Sequence, residues 1–208
     1  FSIVKFVNIK QMDKKQLISF FDGRAGEWDA GAQPGADCLL EHIVRKINIR
    51  PEDFVLDVGC GTGALRPFIL AYNPQEIVHM DISPKMLEEL NKKFPDAQTL
   101  EGDFETALLP RSYFDKVIAF NVLPHFSDFE SVFFNAYAAL KPGGVFIIAH
   151  SLAREELNRA HGKRGATKND LLPSGETVFG LYQKAGFKNI SVRERDPGFF
   201  SVGFKDLI

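Results

Sequence analysis

Three carboxylates, a run of glycines and two histidines are the residues of this chain whose types and spacing point to chemistry. The run is Val55-Leu56-Asp57-Val58-Gly59-Cys60-Gly61-Thr62-Gly63, in which an apolar stretch carries an acid and then breaks into glycines at alternate positions. An apolar stretch of this length reads as a buried strand, and the glycines read as the tight turn that leaves it. Glycine is needed where φ turns positive, or where the backbone approaches a ligand more closely than a Cβ allows. In an open α/β sheet such a turn lies at the carboxyl end of a strand, where ligands bind. Two further acids, Asp81 and Asp103, each follow a short apolar stretch. A charged carboxylate is a strong acceptor for sugar hydroxyls or a base amino group. Together these residues predict a site for a nucleoside-containing cofactor. His125 and His150 follow two later apolar runs and are the candidate bases, because neutral imidazole is available near pH 7.

The elements needed to position these groups alternate along the chain. Strands are expected over Phe54–Val58, Ile77–Met80, Ala97–Leu100, Phe114–Phe120 and Val145–His150, with helices over Ala64–Tyr72, Pro84–Phe94 and Phe129–Leu140 between them. Ser83 is placed to cap the second of those helices, with Pro84 at its first position. Lys141-Pro142-Gly143-Gly144 reads as a turn. Upstream, Lys14–Asp22 has weak helical periodicity, Gly23–Gly35 reads as a loop, and Gly35–Ile47 as a helix with an apolar face. Downstream, Glu155–His161 and Gly175–Ala185 read as helices. Lys188–Arg195 and Phe199–Phe204 read as strands joined through Asp196-Pro197-Gly198, a hairpin signal. This order predicts an α/β, Rossmann-like fold: a mostly parallel seven-stranded sheet with an antiparallel C-terminal hairpin and helices on both faces. A single domain over residues 1–208 is expected. Its parts are an N-terminal helical cap over 1–50, a cofactor-binding core over 51–150, and a lid, helix and hairpin over 151–208. The polar segment from Ser151 to Ser174 is the candidate lid.

Composition narrows the function classes. The chain has 208 residues, with 45% hydrophobic and 25% charged side chains and a formal net charge of −2. That balance is ordinary for a globular domain and argues against general affinity for nucleic acid or an anionic membrane. No apolar run is long enough to span a bilayer. The first residues lack a secretory leader pattern, since Lys5, Lys10, Asp13, Lys14 and Lys15 interrupt any apolar stretch. Two cysteines, Cys38 and Cys60, are too few for a disulfide framework, and a cytoplasmic setting is expected. No oligomeric state is read from the sequence.

The glycine run resembles the first motif of the class I S-adenosylmethionine-dependent methyltransferases. The resemblance continues at Met80-Asp81-Ile82-Ser83, at Gly102-Asp103-Phe104, at Phe114–Asn121 and at Lys141-Pro142-Gly143-Gly144, and so covers roughly residues 51–144. It implies S-adenosylmethionine as cofactor and S-adenosylhomocysteine as product. It also implies that Gly59, Cys60, Gly61 and Gly63 lie against the methionine part of the cofactor, helped by the amides of the following helix N-terminus. Asp57 either braces the loop or meets the cofactor ammonium through water. Asp81 accepts from the ribose hydroxyls, and Asp103 from the adenine amino group, with the Phe104 amide beside it. Ile82 and Met86 flank the adenine, and Gly102 and Asn121 complete the strand ends.

The segment Phe20–Asp29 resembles the opening segment of small-molecule methyltransferases. That implies a fold over the cofactor, with Arg24 pairing a carboxylate of cofactor or acceptor and Trp28 shielding the sulfonium. The acceptor side is expected to hold Arg24, His125, His150, Arg154 and His161. Phe126, Phe129, Phe133 and Phe134 are read either as acceptor lining or as core. The resemblance implies direct methyl transfer to a small-molecule acceptor, with no metal required, although His125, His150, His161 and Asp170 are candidates to converge on one. Two alternatives stand beside this reading: a non-catalytic S-adenosylmethionine-binding protein, and an NAD(P)-dependent oxidoreductase. The second satisfies G-x-G-x-x-G/A at Gly59, Gly61 and Ala64, but lacks a Tyr-x-x-x-Lys relay.

Overall fold

The structure is a computed structural model that describes residues 13–31, 36–162, 171–194 and 198–207. It opens with α1 (Lys14–Asp22), a 3-10 helix over Ala25–Gly31, and α2 (Ala36–Ile47). There follow β1 (Phe54–Val58), α3 (Arg66–Leu70), β2 (Glu76–Asp81), α4 (Pro84–Lys93), β3 (Gln98–Glu101) and β4 (Phe114–Phe120). The chain continues through α5 (Phe129–Ala139), β5 (Leu140–His150), α6 (Arg154–Gly162), α7 (Gly175–Ala185), β6 (Lys188–Arg193) and β7 (Phe199–Phe204). All seven strands form one sheet in the order β3-β2-β1-β4-β5-β7-β6. The first five run parallel, and β7 is antiparallel to both its neighbours. The order reverses between β1 and β4, which makes the carboxyl ends of those strands the switch point where an open α/β sheet binds ligands.

Residue alternation explains the two cores. On one face Leu56, Val58, Met80, Val117, Ala119, Phe146 and Ile148 pack against α5 and α7. On the other, Val55, Ile77, Ile118, Val145 and Ile147 pack against α2 and the α3 region. Because both faces are covered, the central strands are apolar at nearly every position. Phe133, Phe146, Tyr182 and Phe187 form edge-to-face and tilted ring contacts in the first core. That cluster accounts for part of the phenylalanine excess.

Most expected elements appear with small shifts at their ends. Ser83 caps α4 by accepting from the Met86 amide, as its position before Pro84 implied. Three boundaries differ. The expected Gly23–Gly35 loop contains the Ala25–Gly31 helical turn. The expected helix from Ala64 is reduced to Arg66–Leu70, because turns carry the chain from Gly59 to Leu65. Lys141–Gly144 is a bulge inside a strand rather than a turn before one: Leu140 pairs with Phe114, and the ladder resumes at Val145 with Lys116. Gly143, at φ 78°, donates to the Lys205 carbonyl at 3.0 Å, so the bulge is tied to the chain end beyond β7. Pro34, residues 163–170 of the expected lid, and Asp196-Pro197 of the expected hairpin turn lie outside the described residues. Among the described residues no helix is long and apolar enough to cross a membrane.

Candidate functional site

A cavity of about 190 Å³ lies over the carboxyl ends of β1, β2 and β4. A single water needs only about 10–15 Å³ of such space, so this cavity takes a ligand of many atoms. Its floor is the turn after β1, and the three glycines there do different things. Gly59, at φ 65°, faces Val122 so closely that a Cβ would collide with it. Gly61, at φ 54°, borders the cavity, and a Cβ there would meet only Trp28 Nε1, at 3.7 Å. That open space is a cradle for a ligand against bare backbone. Gly63 corrects the expectation, since it is not on the cavity wall. A Cβ there would sit 3.0 Å from Leu90 Cγ, so its role is close packing against α4. The helix N-terminus expected beneath a ligand carboxylate is corrected too: α3 spans five residues and starts only at Arg66.

Asp81 organises the floor. Its Oδ2 accepts from the Gly61 amide at 2.8 Å and its Oδ1 from the Ser83 amide at 2.9 Å. Both bonds join the end of β2 to an adjoining turn, so one side chain fixes the glycine loop and the start of α4 together. A carboxylate has about four acceptor positions. The amides of Ser83, Gly61 and Ile82 all favour its charged form, and the carboxylate borders the cavity, within reach of a ligand with paired hydroxyls. Burial pushes the Asp81 carboxyl above the usual aspartate range, the Ser83 and Gly61 amides pull it back, and neighbouring Asp57 pushes it up again. Burial, with Asp57 and Asp81 adding to it, raises the Cys60 thiol well above its ordinary value. Cys60 is therefore a wall of the cavity rather than a nucleophile.

Asp57 lines the cavity, but it does not brace the loop. Its hydrogen-bond partner among the described residues is His79 Nδ1, 3.0 Å from Oδ2. Asp103 also lines the cavity. Its Oδ1 accepts from the Glu105 amide at 3.0 Å, and its Oδ2 lies 3.0 Å from Lys14 Nζ. Ile82, Met86, Gly102, Phe104 and Asn121 complete the wall. Asn121 adopts φ 54° and accepts from the Ser151 amide at 2.9 Å, joining the ends of β4 and β5.

The roof comes from the N-terminal segment: Lys14, Leu17, Phe21 and Trp28 face the cavity. Polar ties hold it down. Lys14 Nζ reaches Glu105 Oε2 at 2.8 Å as well as Asp103. Ser83 Oγ donates to Asp22 at 2.6 Å, and Thr62 Oγ1 donates to Asp29 at 2.6 Å. Glu105 is itself gripped by the Ser127 amide and hydroxyl. Burial alone would raise its carboxyl, but the Lys14 and Ser127 hydrogen bonds outweigh it and hold the group below the usual range.

The expected acceptor residues separate. His125 lines the cavity at the end of a short 3-10 turn, Leu123–His125, with its ring 5.4 Å from that of Phe21 in an edge contact. His150 is corrected: it is 2% exposed and off the cavity wall. The antiparallel partner β7 runs past it in register with Phe199, so this strand end is covered rather than open. Arg24 is corrected as well. Its guanidinium lies 3.8 Å over the Phe20 ring and donates to the Phe20 carbonyl at 3.0 Å, folded back on the last turn of α1. A cation is favoured there by the unpaired carbonyls of a helix end. Arg154 is off the wall and pairs Glu194 Oε1 at 3.0 Å. His161 lies in α6, but its side chain, like the whole of Asp170, is outside the described residues. Among the described residues no three His, Cys, Asp or Glu side chains converge on a metal position. Of the four phenylalanines, Phe126 alone lines the cavity, Phe133 is core, Phe129 packs against that core, and Phe134 is 45% exposed.

Sequence reasoning missed Lys14, Leu17, Phe21 and Glu105. The pattern of α1 marks Leu17 and Phe21 as one face, and the resemblance of Phe20–Asp29 implied only that the segment lies over the cofactor, not which side chains meet it.

Residues 56–148 match the family model described as a methyltransferase domain. The chain is 28% identical over 182 residues to phosphoethanolamine N-methyltransferase 1 of Zea mays, a match covering 83% of this chain and 35% of that protein. Its fold superposes on human N-acetylserotonin methyltransferase in complex with S-adenosylmethionine with a TM-score of 0.75 at 18% identity, over 94% of this chain and 61% of the other. It also superposes on an S-adenosylmethionine-dependent methyltransferase from Aquifex aeolicus, with a TM-score of 0.70 at 17% identity, over 88% and 97% of the two chains. At such identities the structural likeness concerns the fold alone. The chain spans 35% to 44% of the length of the first curated relatives it matches. The motif order and the sheet order agree with that domain match, and through residues 56–148 this chain carries a methyltransferase domain.

Proposed function

We propose that the chain binds S-adenosylmethionine in this cavity and directs methyl transfer to a small-molecule acceptor. The observation that carries the reading is Asp81, an acceptor-only carboxylate buried at the end of β2 on the cavity wall. That arrangement fits a ribose diol. The residues suit the rest of the cofactor as well. Gly61 and Cys60 give the methionine part a surface without a side chain in the way. Asp57 offers negative charge to its ammonium. Ile82, Met86 and Phe104 give the adenine apolar walls, and Asp103 accepts from its amino group. In this arrangement 51–150 is the cofactor-binding core of one domain, and α1 with the following helical turn is its cap.

The bound sulfonium supplies an already activated methyl group. The task left to the protein is to align the acceptor and exclude water, which contributes up to roughly 7–11 kcal/mol in favourable cases. Phe21, Trp28, Val122 and Phe126 form an apolar surround on the acceptor side, and His125 is its ionisable group. We assign His125 to receive the acceptor proton on an imidazole nitrogen. The apolar surround, the net charge of −2 and the small-molecule names of the relatives favour a metabolite over nucleic acid. The proposed setting is cytoplasmic, since Cys38 and Cys60 are free thiols, which a reducing compartment preserves.

Calorimetric titration tests the reading. S-adenosylhomocysteine should bind and NAD(H) should not. Asp81→Ala should weaken binding by about 1–3 kcal/mol, as expected when buried hydroxyls lose their acceptor. Unchanged affinity in that variant would refute the assignment. Formation of S-adenosylhomocysteine from S-adenosylmethionine in an acceptor screen separates an enzyme from a non-catalytic binder.

A further inference from the structure

A buried chain of polar groups runs beneath the glycine loop, and the reading above uses only its last member. Asp57 and His79 are register partners on β1 and β2, on the sheet face that carries Val55 and Ile77. His79 is fully buried, Asp57 is 2% exposed and Arg66 is 4% exposed. His79 Nδ1 lies 3.0 Å from Asp57 Oδ2, and His79 Nε2 lies 3.1 Å from Arg66 Nη1. The partners decide the tautomer. A guanidinium only donates, so Nε2 accepts from Arg66 and the imidazole proton sits on Nδ1, where it is donated to Asp57. Arg66 Nη2 then reaches Asp96 Oδ2 at 2.8 Å, and the Asp96 side chain is 78% exposed. The series Asp96, Arg66, His79, Asp57 therefore connects solvent to the cavity wall.

Such a series is costly in this position. A central parallel strand buried on both faces normally carries apolar side chains, and buried ionic groups are often no more stabilising than apolar ones of similar volume. The glycine loop does not need it, because Asp81 accepts from the Gly61 amide. What the series does is engage one oxygen of Asp57 and fix the plane of that carboxylate while Asp57 lines the cavity.

We propose that His79, oriented by Arg66, is a positioning residue that aims the Asp57 carboxylate at the cationic amino group of the bound ligand. This rests on the reading that the cavity takes an S-adenosyl ligand whose amino-acid part lies near Asp57.

Two ligands sharing a thioether and an adenosine, but differing in the amino-acid part, provide the test. S-adenosylhomocysteine carries the ammonium and 5′-methylthioadenosine lacks it. Calorimetry on the full chain should show His79→Leu losing about tenfold or more in affinity for S-adenosylhomocysteine, the scale of a hydrogen bond to a charged group. Affinity for 5′-methylthioadenosine should stay unchanged. His79→Asn keeps an N–H near the Nδ1 position and should recover most of the loss. Arg66→Met, which leaves the imidazole in place without its guide, should show a smaller loss confined to S-adenosylhomocysteine, and it keeps the test available if His79→Leu does not fold. Equal weakening of both ligands would assign His79 a purely structural role and overturn the proposal, as would no change in either. If the unaltered protein binds neither ligand, the cavity assignment itself fails and takes this inference with it.

Discussion

The floor and the roof of the cavity are built on different principles. The floor is held by buried hydrogen bonds between a side chain and backbone amides, as where Asp81 fixes Gly61 and Ser83. The roof is held by side-chain ties such as Lys14 to Asp103, Asp22 to Ser83 and Asp29 to Thr62. Lys14 is 39% exposed, and an exposed ion pair contributes typically 0.2–1 kcal/mol. Breaking a buried bond to a carboxylate costs about 1.5–3 kcal/mol. The floor is therefore the more strongly held part of the site, and the Lys14 tie of the roof is the cheaper one to break.

The largest expected effect lies between the two regions. His125→Ala should lower the rate of methyl transfer about 100-fold or more, the usual range for losing a general base. Affinity for S-adenosylhomocysteine should hold within about twofold. The check is steady-state turnover with an acceptor identified by screening, beside calorimetry. A parallel loss of affinity would make His125 part of the cofactor floor and blur the division. Next in size is Gly59→Ala, which forces a Cβ into Val122 at a positive φ. Overpacking of this kind costs about 1–3 kcal/mol, seen as a lower urea midpoint, and the same variant should impair ligand binding. Smaller still are the roof variants. Lys14→Met and Asp29→Ala should each shift stability by less than about 1 kcal/mol while speeding ligand association and release in stopped-flow measurements. If either destabilises the fold as much as Gly59→Ala, the roof is no more separable than the floor.

This division also explains what was legible in the sequence. The floor is written in local patterns. The glycine spacing, an acid at the end of each of two strands, and a Ser-Pro helix start are each readable in a few consecutive residues, although Asp81 reaches Gly61 across 20 residues of chain. The roof was legible as a helical cap and as a segment resembling one that folds over the cofactor, but not through the contacts that tie it down. The partners of Asp22, Asp29 and Lys14 belong to other elements, 61 residues away for Ser83 and 33 for Thr62. No periodicity encodes those distances. His150 and Arg24 were misread for a related reason. A strand end looks open until the next strand in space is known, and β7, which covers His150, comes some fifty residues later in the chain. The shared register of His79 and Asp57 was hidden likewise until β1 and β2 were paired.

The last and smallest effect separates floor from roof by the sign of their response to acid. In Glu105 burial raises the carboxyl, but the Lys14 and Ser127 hydrogen bonds lower it further, so the folded value lies below the unfolded one. Its stabilising contribution is thus complete above the unfolded value, about 4.3, and disappears as pH falls through the depressed folded value. Asp81 runs the other way. Burial raises it, so the folded state holds that proton more tightly and gains stability as pH falls through the raised value. Acid therefore loosens the roof while relieving the floor, and it weakens ligand binding at the floor because a protonated Asp81 has lost acceptor capacity. Urea midpoints at neutral pH and at about pH 4 should show Lys14→Met losing less stability on acidification than the unaltered chain, since the tie to Glu105 is already gone. Equal losses in the two proteins would mean that Glu105 is held by Ser127 alone, and that the roof is coupled to the protein by packing rather than by charge.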